Sequence, residues 1–212
     1  LRIFQPEQQS SELERAIDQT VVACTDMAKT RTGVLIVFER KLLLDEIVRS
    51  GTTLDAAVSS ELLKNIFFVK APMHDGAVII RNGRILGAGC MLPLSKNVNL
   101  SRELGMRHRA GIGMSENSDA VVVIVSEETG TISVAIGGML KRHLAPQTLQ
   151  RLLSQGVKLP PQPKVVEELE RLLRSDEADL RALARVISQD AGITAMLFKA
   201  VQSSAYRQHQ PF

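Results

Sequence analysis

Two short polar signals interrupt otherwise apolar stretches of this chain, His74-Asp75-Gly76-Ala77 and Arg107-His108-Arg109. The first sets an imidazole, a carboxylate and a glycine turn directly ahead of the β-rich run Val78-Ile79-Ile80, so its polar side chains would sit at the mouth of a sheet. Imidazole and carboxylate together suit manganese or magnesium, and such a cation can bridge phosphate oxygens. The second places two guanidinium groups around an imidazole, and a planar, permanently charged fork of donors fits phosphate oxygens well. Gly105 before this triplet and Gly111 and Gly113 after it would let backbone approach a ligand closely. A third signal, Ser126-Glu127-Glu128, follows an apolar run, and its acids could join His74 and Asp75 around the cation.

Each signal also has a plainer reading. Asp75-Gly76 is ordinary turn chemistry, a short basic run is most often a solvated helix face, and Ser-Glu-Glu after a buried run is a strand stop. Convergence separates the readings, because ligands of sheet-based α/β domains gather at strand ends.

The elements that must position these residues are legible in outline. Leu13, Ile17, Val21, Cys24 and Ala28 recur at helical spacing over residues 11 to 29, with Ser10 or Ser11 available as a cap. Gly33 introduces Val34-Leu35-Ile36-Val37-Phe38, an uninterrupted apolar run that reads as a strand covered on both faces. Gly51-Thr52-Thr53 reads as a loop and residues 59 to 68 as a helix. Strands are expected at 76 to 80 and 85 to 91, joined by an Asn82-Gly83 hairpin turn. A helix is expected over 103 to 114, strands over 119 to 125 and 131 to 136, and a closing helix from 146 to 153, with Glu127 and Glu128 near a sheet edge. The result is an α/β domain, a mixed central sheet flanked by helices. Pro160-Pro161-Gln162-Pro163 marks a stiff break, after which the patterning is that of a small all-helical C-terminal segment. His143 and His209 lack polar company and read as surface residues.

Composition bounds the alternatives. The 212 residues are 44% hydrophobic, enough for a sizeable core, and 26 Lys+Arg against 23 Asp+Glu leave a formal charge of only +3. With no basic arm, no Trp and one Tyr, no nucleic-acid partner is expected. Cys24 and Cys90 are too few for a disulfide framework and sit among apolar neighbours, which points to a reduced, cytoplasmic setting. No apolar run approaches the roughly 18 residues that a membrane span needs, and no signal peptide opens the chain. It begins at Leu1 rather than Met, which leaves room for an anchor upstream.

At these residues the chain resembles the diadenylate cyclase (DAC) family, in which two ATP molecules are condensed into cyclic di-AMP with release of two pyrophosphates. The resemblance covers about residues 13 to 150 and rests on Val58-Ser59-Ser60-Glu61-Leu62-Leu63, Met73 to Ile79, Leu92-Pro93-Leu94-Ser95, Glu103-Leu104-Gly105 with Arg107 to Ala110, and Val125 to Gly130, in the family's order. It implies that Asp75 works with a divalent metal, manganese or magnesium, to activate the ribose 3′-hydroxyl that attacks the α-phosphate of the other ATP. It implies His74, Asp75 and Glu128 as metal ligands, with Arg107, His108 and Arg109 on the phosphates. Gly76, Ala77, Met91 and Leu92 would surround the nucleoside, while Ser126 touches the triphosphate beside Glu127. Two DAC domains would act as a head-to-head, transient homodimer. Met106 stands where the family usually carries threonine, which removes one hydroxyl contact to nucleotide. Met91 stands where an aromatic or other packing residue often lies against adenine.

Outside the catalytic unit, placed at 11–157, residues 1–10 resemble the juxtamembrane segment of the family's membrane-anchored branch. That implies a full-length protein at the cytoplasmic face of the cell membrane. Residues 158–212 resemble the opening helices of an HDOD regulatory domain. The competing reading is a catalytically silent nucleotide-binding sensor or scaffold on the same fold, with Met106 as its support.

Overall fold

The computed structural model of the protein describes residues 6–101 and 104–157, with side chains from residue 10 onward. The chain divides into two units, Leu1–Lys158 and Leu159–Phe212. The helical segment expected at 158–212, its HDOD resemblance and His209 lie outside the described residues, as do residues 1–5 and Glu103.

Twelve elements follow in order among the described residues: α1 (Pro6–Lys29), β1 (Val34–Phe38), α2 (Asp45–Arg49), β2 (Thr52–Ala57), α3 (Ser60–Ile66), β3 (Ala77–Arg81), β4 (Arg84–Cys90), α4 (Met106–Glu116), β5 (Val121–Val125), β6 (Ile132–Ile136), β7 (Met139–Lys141) and α5 (Pro146–Val157). The strands form one sheet in the order β2-β4-β3-β1-β5-β6-β7. Only β1 and β3 run parallel; β1 with β5 and every other neighbouring pair are antiparallel. This is the expected mixed sheet.

Helices cover both faces. On one, Ile17, Val21, Cys24 and Met27 of α1, Leu63 and Ile66 of α3, and Leu149, Leu153 and Val157 of α5 pack against Val34, Ile36 and Phe38. On the other, Ala110, Ile112 and Met114 of α4, with Ile47 and Val48 of α2, pack against Leu35, Val37, Val122 and Ile124. Double coverage explains why β1 and β5 are apolar at every position, since neither face meets water. Both cysteines are buried, and burial pushes the Cys24 thiol up to about 12 and Cys90 up to about 11.

Several boundaries move. Helix α1 begins at Pro6, not at a serine cap near residue 10; proline suits a first turn, where its missing N–H would have had no partner. Ser59 is not in the third helix but caps it, its hydroxyl accepting from Leu62 N at 3.2 Å. The Asn82-Gly83 turn is as expected, with φ of 49° and 80°, the left-handed pair that a two-residue hairpin requires. Elements β2, β7 and α2 were not expected. Glu127 and Glu128 leave an interior strand, third from the sheet's end, rather than a sheet edge.

Candidate active site

Strand registers decide whether the polar signals meet. Ile36 pairs with Val78, Val34 with Val125, Val125 with Ile132, and Ala77 with Cys90. Continued by one or two residues, these registers set Met91, Gly76, Val34, Val125 and Ile132 on one line across the sheet. Because β3 is parallel to β1 and β5 antiparallel to it, the beginnings of β1 and β3 share an end with the finishes of β4 and β5. His74-Asp75-Gly76-Ala77, Met91-Leu92 and Ser126-Glu127-Glu128 therefore stand at one end of the sheet. The topology supplies the convergence that the sequence left open.

Helix α4 brings the second signal to the same end. Its first residue is Met106 and its cap is Gly105, which has no side chain to satisfy the first amide groups. The opening N–H groups of a helix lack intrahelical partners and carry the positive end of its dipole. A pocket here is lined by Gly105, Met106, Arg107, His108, Ser126, Glu127 and Glu128. Arg107 donates from Nη1 to Glu127 Oε2 at 2.7 Å, while its Nε is buried without a partner among the described residues. Arg109 is half-buried and forms no ion pair among the described residues; its carbonyl accepts from Ser95 N at 3.0 Å.

His108 is 4% exposed, and its Nε2 is buried with no hydrogen-bond partner among the described residues. Burial holds its pKa below the ordinary imidazole range, Arg142 pushes the same way, and Glu128 opposes them. The ring is neutral at neutral pH and still offers one hydrogen-bonding position. Ser126 Oγ accepts from the backbone N–H groups of Glu128 and Thr129, both at 3.2 Å, so its own hydrogen remains available to a ligand. Gly76 has φ of 113°, and a β-carbon there would lie 2.6 Å from the carbonyl carbon of Gly89, so no other residue fits between β3 and β4.

Met91 is 68% exposed, and its N–H donates to Ser50 Oγ at 2.9 Å, the residue that ends α2. Leu92 is half-buried against the α4 side of the core. Met106 is 65% exposed at the pocket's rim.

The suggested metal ligands fit in kind but do not meet in one chain. His74 Nδ1 lies 2.6 Å from the Ala71 carbonyl, an arrangement that assigns the proton to Nδ1 and leaves Nε2 a lone pair for a cation. Asp75 is exposed, with no hydrogen bond or ion pair among the described residues. However, β3 and β5 stand two strand intervals apart, about 10 Å, and no three His, Cys, Asp or Glu residues cluster as a metal site among the described residues. The set His74, Asp75 and Glu128 is thus split between the two sides of β1.

Arg142 bears on the candidate site although no sequence motif marks it. Arg142 follows β7 two residues after Leu140, on the sheet face that α4 covers, where it bears on His108. The β-strand period was the available signal, and β7 was too short to show it.

Strand ends, an open helix N-terminus and a fixed arginine around one pocket define a mixed α/β domain suited to a phosphate-bearing ligand. Residues 21–140, more than half of the chain, match the DAC family, described as the DisA bacterial checkpoint controller nucleotide-binding domain, and the chain belongs to that family. Residues 159–212 match the HDOD domain.

The chain is 47% identical over 145 residues to the cyclic di-AMP synthase CdaA of Bacillus subtilis, covering 66% of this chain and 53% of that protein. It is 47% identical over 127 residues to a diadenylate cyclase of Listeria monocytogenes, covering 60% of this chain and 46% of the relative. The chain thus spans about half the length of these curated relatives. A crystal structure of a double mutant of DacA from Staphylococcus aureus superimposes with a TM-score of 0.66 at 44% identity, covering 68% of this chain and 96% of that one.

Proposed function

We propose that this protein is a diadenylate cyclase: two chains, each holding one ATP, join head to head and produce cyclic di-AMP and two pyrophosphates. The observation that carries this reading is the meeting, at one sheet end, of Asp75, the Met91-Leu92 segment, Ser126 and the arginine-bearing N-terminus of α4. The names of the relatives support it.

Gly76, Ala77, Met91 and Leu92 bind the nucleoside. Arg107, Arg109, the first amides of α4, His108 and the Ser126 hydroxyl hold the phosphates. Phosphoryl transfer asks mainly for such positioning and charge neutralisation. The Asp75 carboxylate takes the proton of the ribose 3′-hydroxyl as its oxygen bonds to the α-phosphorus of the facing ATP and the bond to pyrophosphate breaks. The reciprocal attack closes the ring. A divalent cation held by His74 and Asp75 from one chain and Glu128 from the other would supply charge neutralisation on the phosphate oxygens. The division of these ligands across β1 favours a site completed between two chains. By its resemblance at residues 1–10, the full-length protein works at the cytoplasmic face of the membrane; no helix among the described residues is long and apolar enough to cross it.

The test is incubation of the chain with ATP and Mn²⁺ or Mg²⁺, with detection of cyclic di-AMP by chromatography and mass spectrometry. Asp75→Asn, at an exposed position, is expected to leave the fold intact and reduce turnover by roughly two to four orders of magnitude. Binding of ATP without product in the unmodified chain would instead establish a silent nucleotide sensor, with Met106→Thr the next variant.

A further inference from the structure

We propose that Gly33 is a positioning residue for nucleotide binding: the absence of a side chain there forms the slot in which the Arg107 guanidinium lies. The inference rests on the phosphate-binding role given to Arg107 above and extends it to a residue at the start of β1, outside the polar motifs.

The geometry is specific. A β-carbon built on Gly33 would lie 2.6 Å from both Cζ and Nη1 of Arg107 and 2.9 Å from Nε, so the guanidinium occupies the place where a side chain would stand. Gly33 is buried, and its φ lies outside the left-handed region. Alanine would therefore meet no backbone strain, and the three atoms nearest its β-carbon would all belong to the guanidinium. Opposite this floor, Glu127 accepts from Nη1 at 2.7 Å. Floor and carboxylate together fix a long, flexible side chain that is only 19% exposed, with its buried Nε unpartnered. A guanidinium already held in place loses less freedom when phosphate arrives, and that pre-organisation appears as affinity. Arg109, two residues on, has no such slot among the described residues.

A methyl group at Gly33 displaces the far end of a side chain rather than backbone. The fold is expected to absorb it while Arg107 is pushed away from Glu127 and the pocket. Gly33 thus acts through Arg107, and a double-mutant cycle reads that dependence directly.

The experiment compares the full chain with Gly33→Ala, Arg107→Ala and the double variant, measuring the Kd for α,β-methylene ATP with Mg²⁺ and the melting temperature of each. The methylene bridge prevents departure of the pyrophosphate portion, so binding is read without turnover. Gly33→Ala is expected to weaken binding on the order of tenfold, the scale of a misplaced charge-assisted hydrogen bond. In the Arg107→Ala background it should weaken binding by less than about twofold, within the error of additivity. Equal weakening in both backgrounds, or none in either, overturns the proposal.

If Gly33→Ala unfolds the chain, the double variant decides: regained folding upholds the slot, and continued unfolding refutes it. A chain that binds the analogue but makes no cyclic di-AMP from ATP refutes the cyclase reading and leaves the cycle to judge Gly33. A chain that does not bind the analogue refutes both.

Discussion

Gly113 determines where the segment bearing Met91 and Leu92 can lie. It sits inside α4, where an alanine would ordinarily stabilise by about 1 kcal/mol. Here a β-carbon would lie 2.2 Å from the Pro93 carbonyl oxygen, 2.5 Å from Ser95 N and 2.6 Å from the Leu94 carbonyl carbon. All three are backbone atoms, which cannot rotate aside. Gly113→Ala must lift the 93–95 segment from the helix, loosening the Ser95 N–H bond to the Arg109 carbonyl at 3.0 Å and the Ser95 hydroxyl bond to Glu116 at 2.8 Å. The expected result is a loss of about 1 to 3 kcal/mol in chemical denaturation, the scale of overpacking, together with weaker nucleotide binding. A gain in stability would show that the segment is not clamped here. Asp75 carries no such packing constraint, which is why its substitution separates chemistry from folding.

At the scale of elements, a second clamp holds the opposite end of the sheet. Glu39, whose side chain is fully buried, follows β1 and accepts from Nε and Nη2 of Arg81 at the end of β3, and from Leu44 N at 2.8 Å. Arg81 reaches on to Asp45 at 2.6 Å, which ties α2 to the same point. A buried carboxylate stripped of its cation is costly: Arg81→Met is expected to lose about 3 to 5 kcal/mol in denaturant unfolding. Glu39→Gln in the same background should recover part of that loss, because it removes the stranded charge.

Elements like β1 and β5 were legible because burial on both faces leaves only apolar residues, and the Asn82-Gly83 hairpin because its torsions select those residues. β2 was not, since at the sheet edge its side chains are mostly exposed and Asp55, at φ 50°, breaks the period. Neither α2, without a buried residue, nor the three-residue β7 left a pattern to read. The residue types of the candidate site were legible at Asp75, Arg107 and Ser126. Their meeting was not, because it depends on β1 pairing parallel to β3 and antiparallel to β5, a long-range choice that no local spacing encodes.

For the whole molecule, the proposed division of the reaction between two chains has a kinetic consequence. Asp75 stands two strand intervals from Glu128, and in the proposed arrangement the α4 N-terminus of each chain holds one triphosphate while a second copy presents the facing nucleotide. Below the dimer's dissociation constant, the rate of cyclic di-AMP formation should rise with the square of protein concentration, then become linear as the dimer saturates. Excess Asp75→Asn chain mixed into dilute active chain sharpens the test. Mixed pairs retain one proton acceptor of two, so one attack proceeds and the ring does not close, and linear pppApA should accumulate at the expense of cyclic product. An enzyme complete within a single chain would give a first-order dependence at every concentration and would be indifferent to the added variant. Either observation would mean that the division of ligands across β1 serves something other than assembly of the site between two copies.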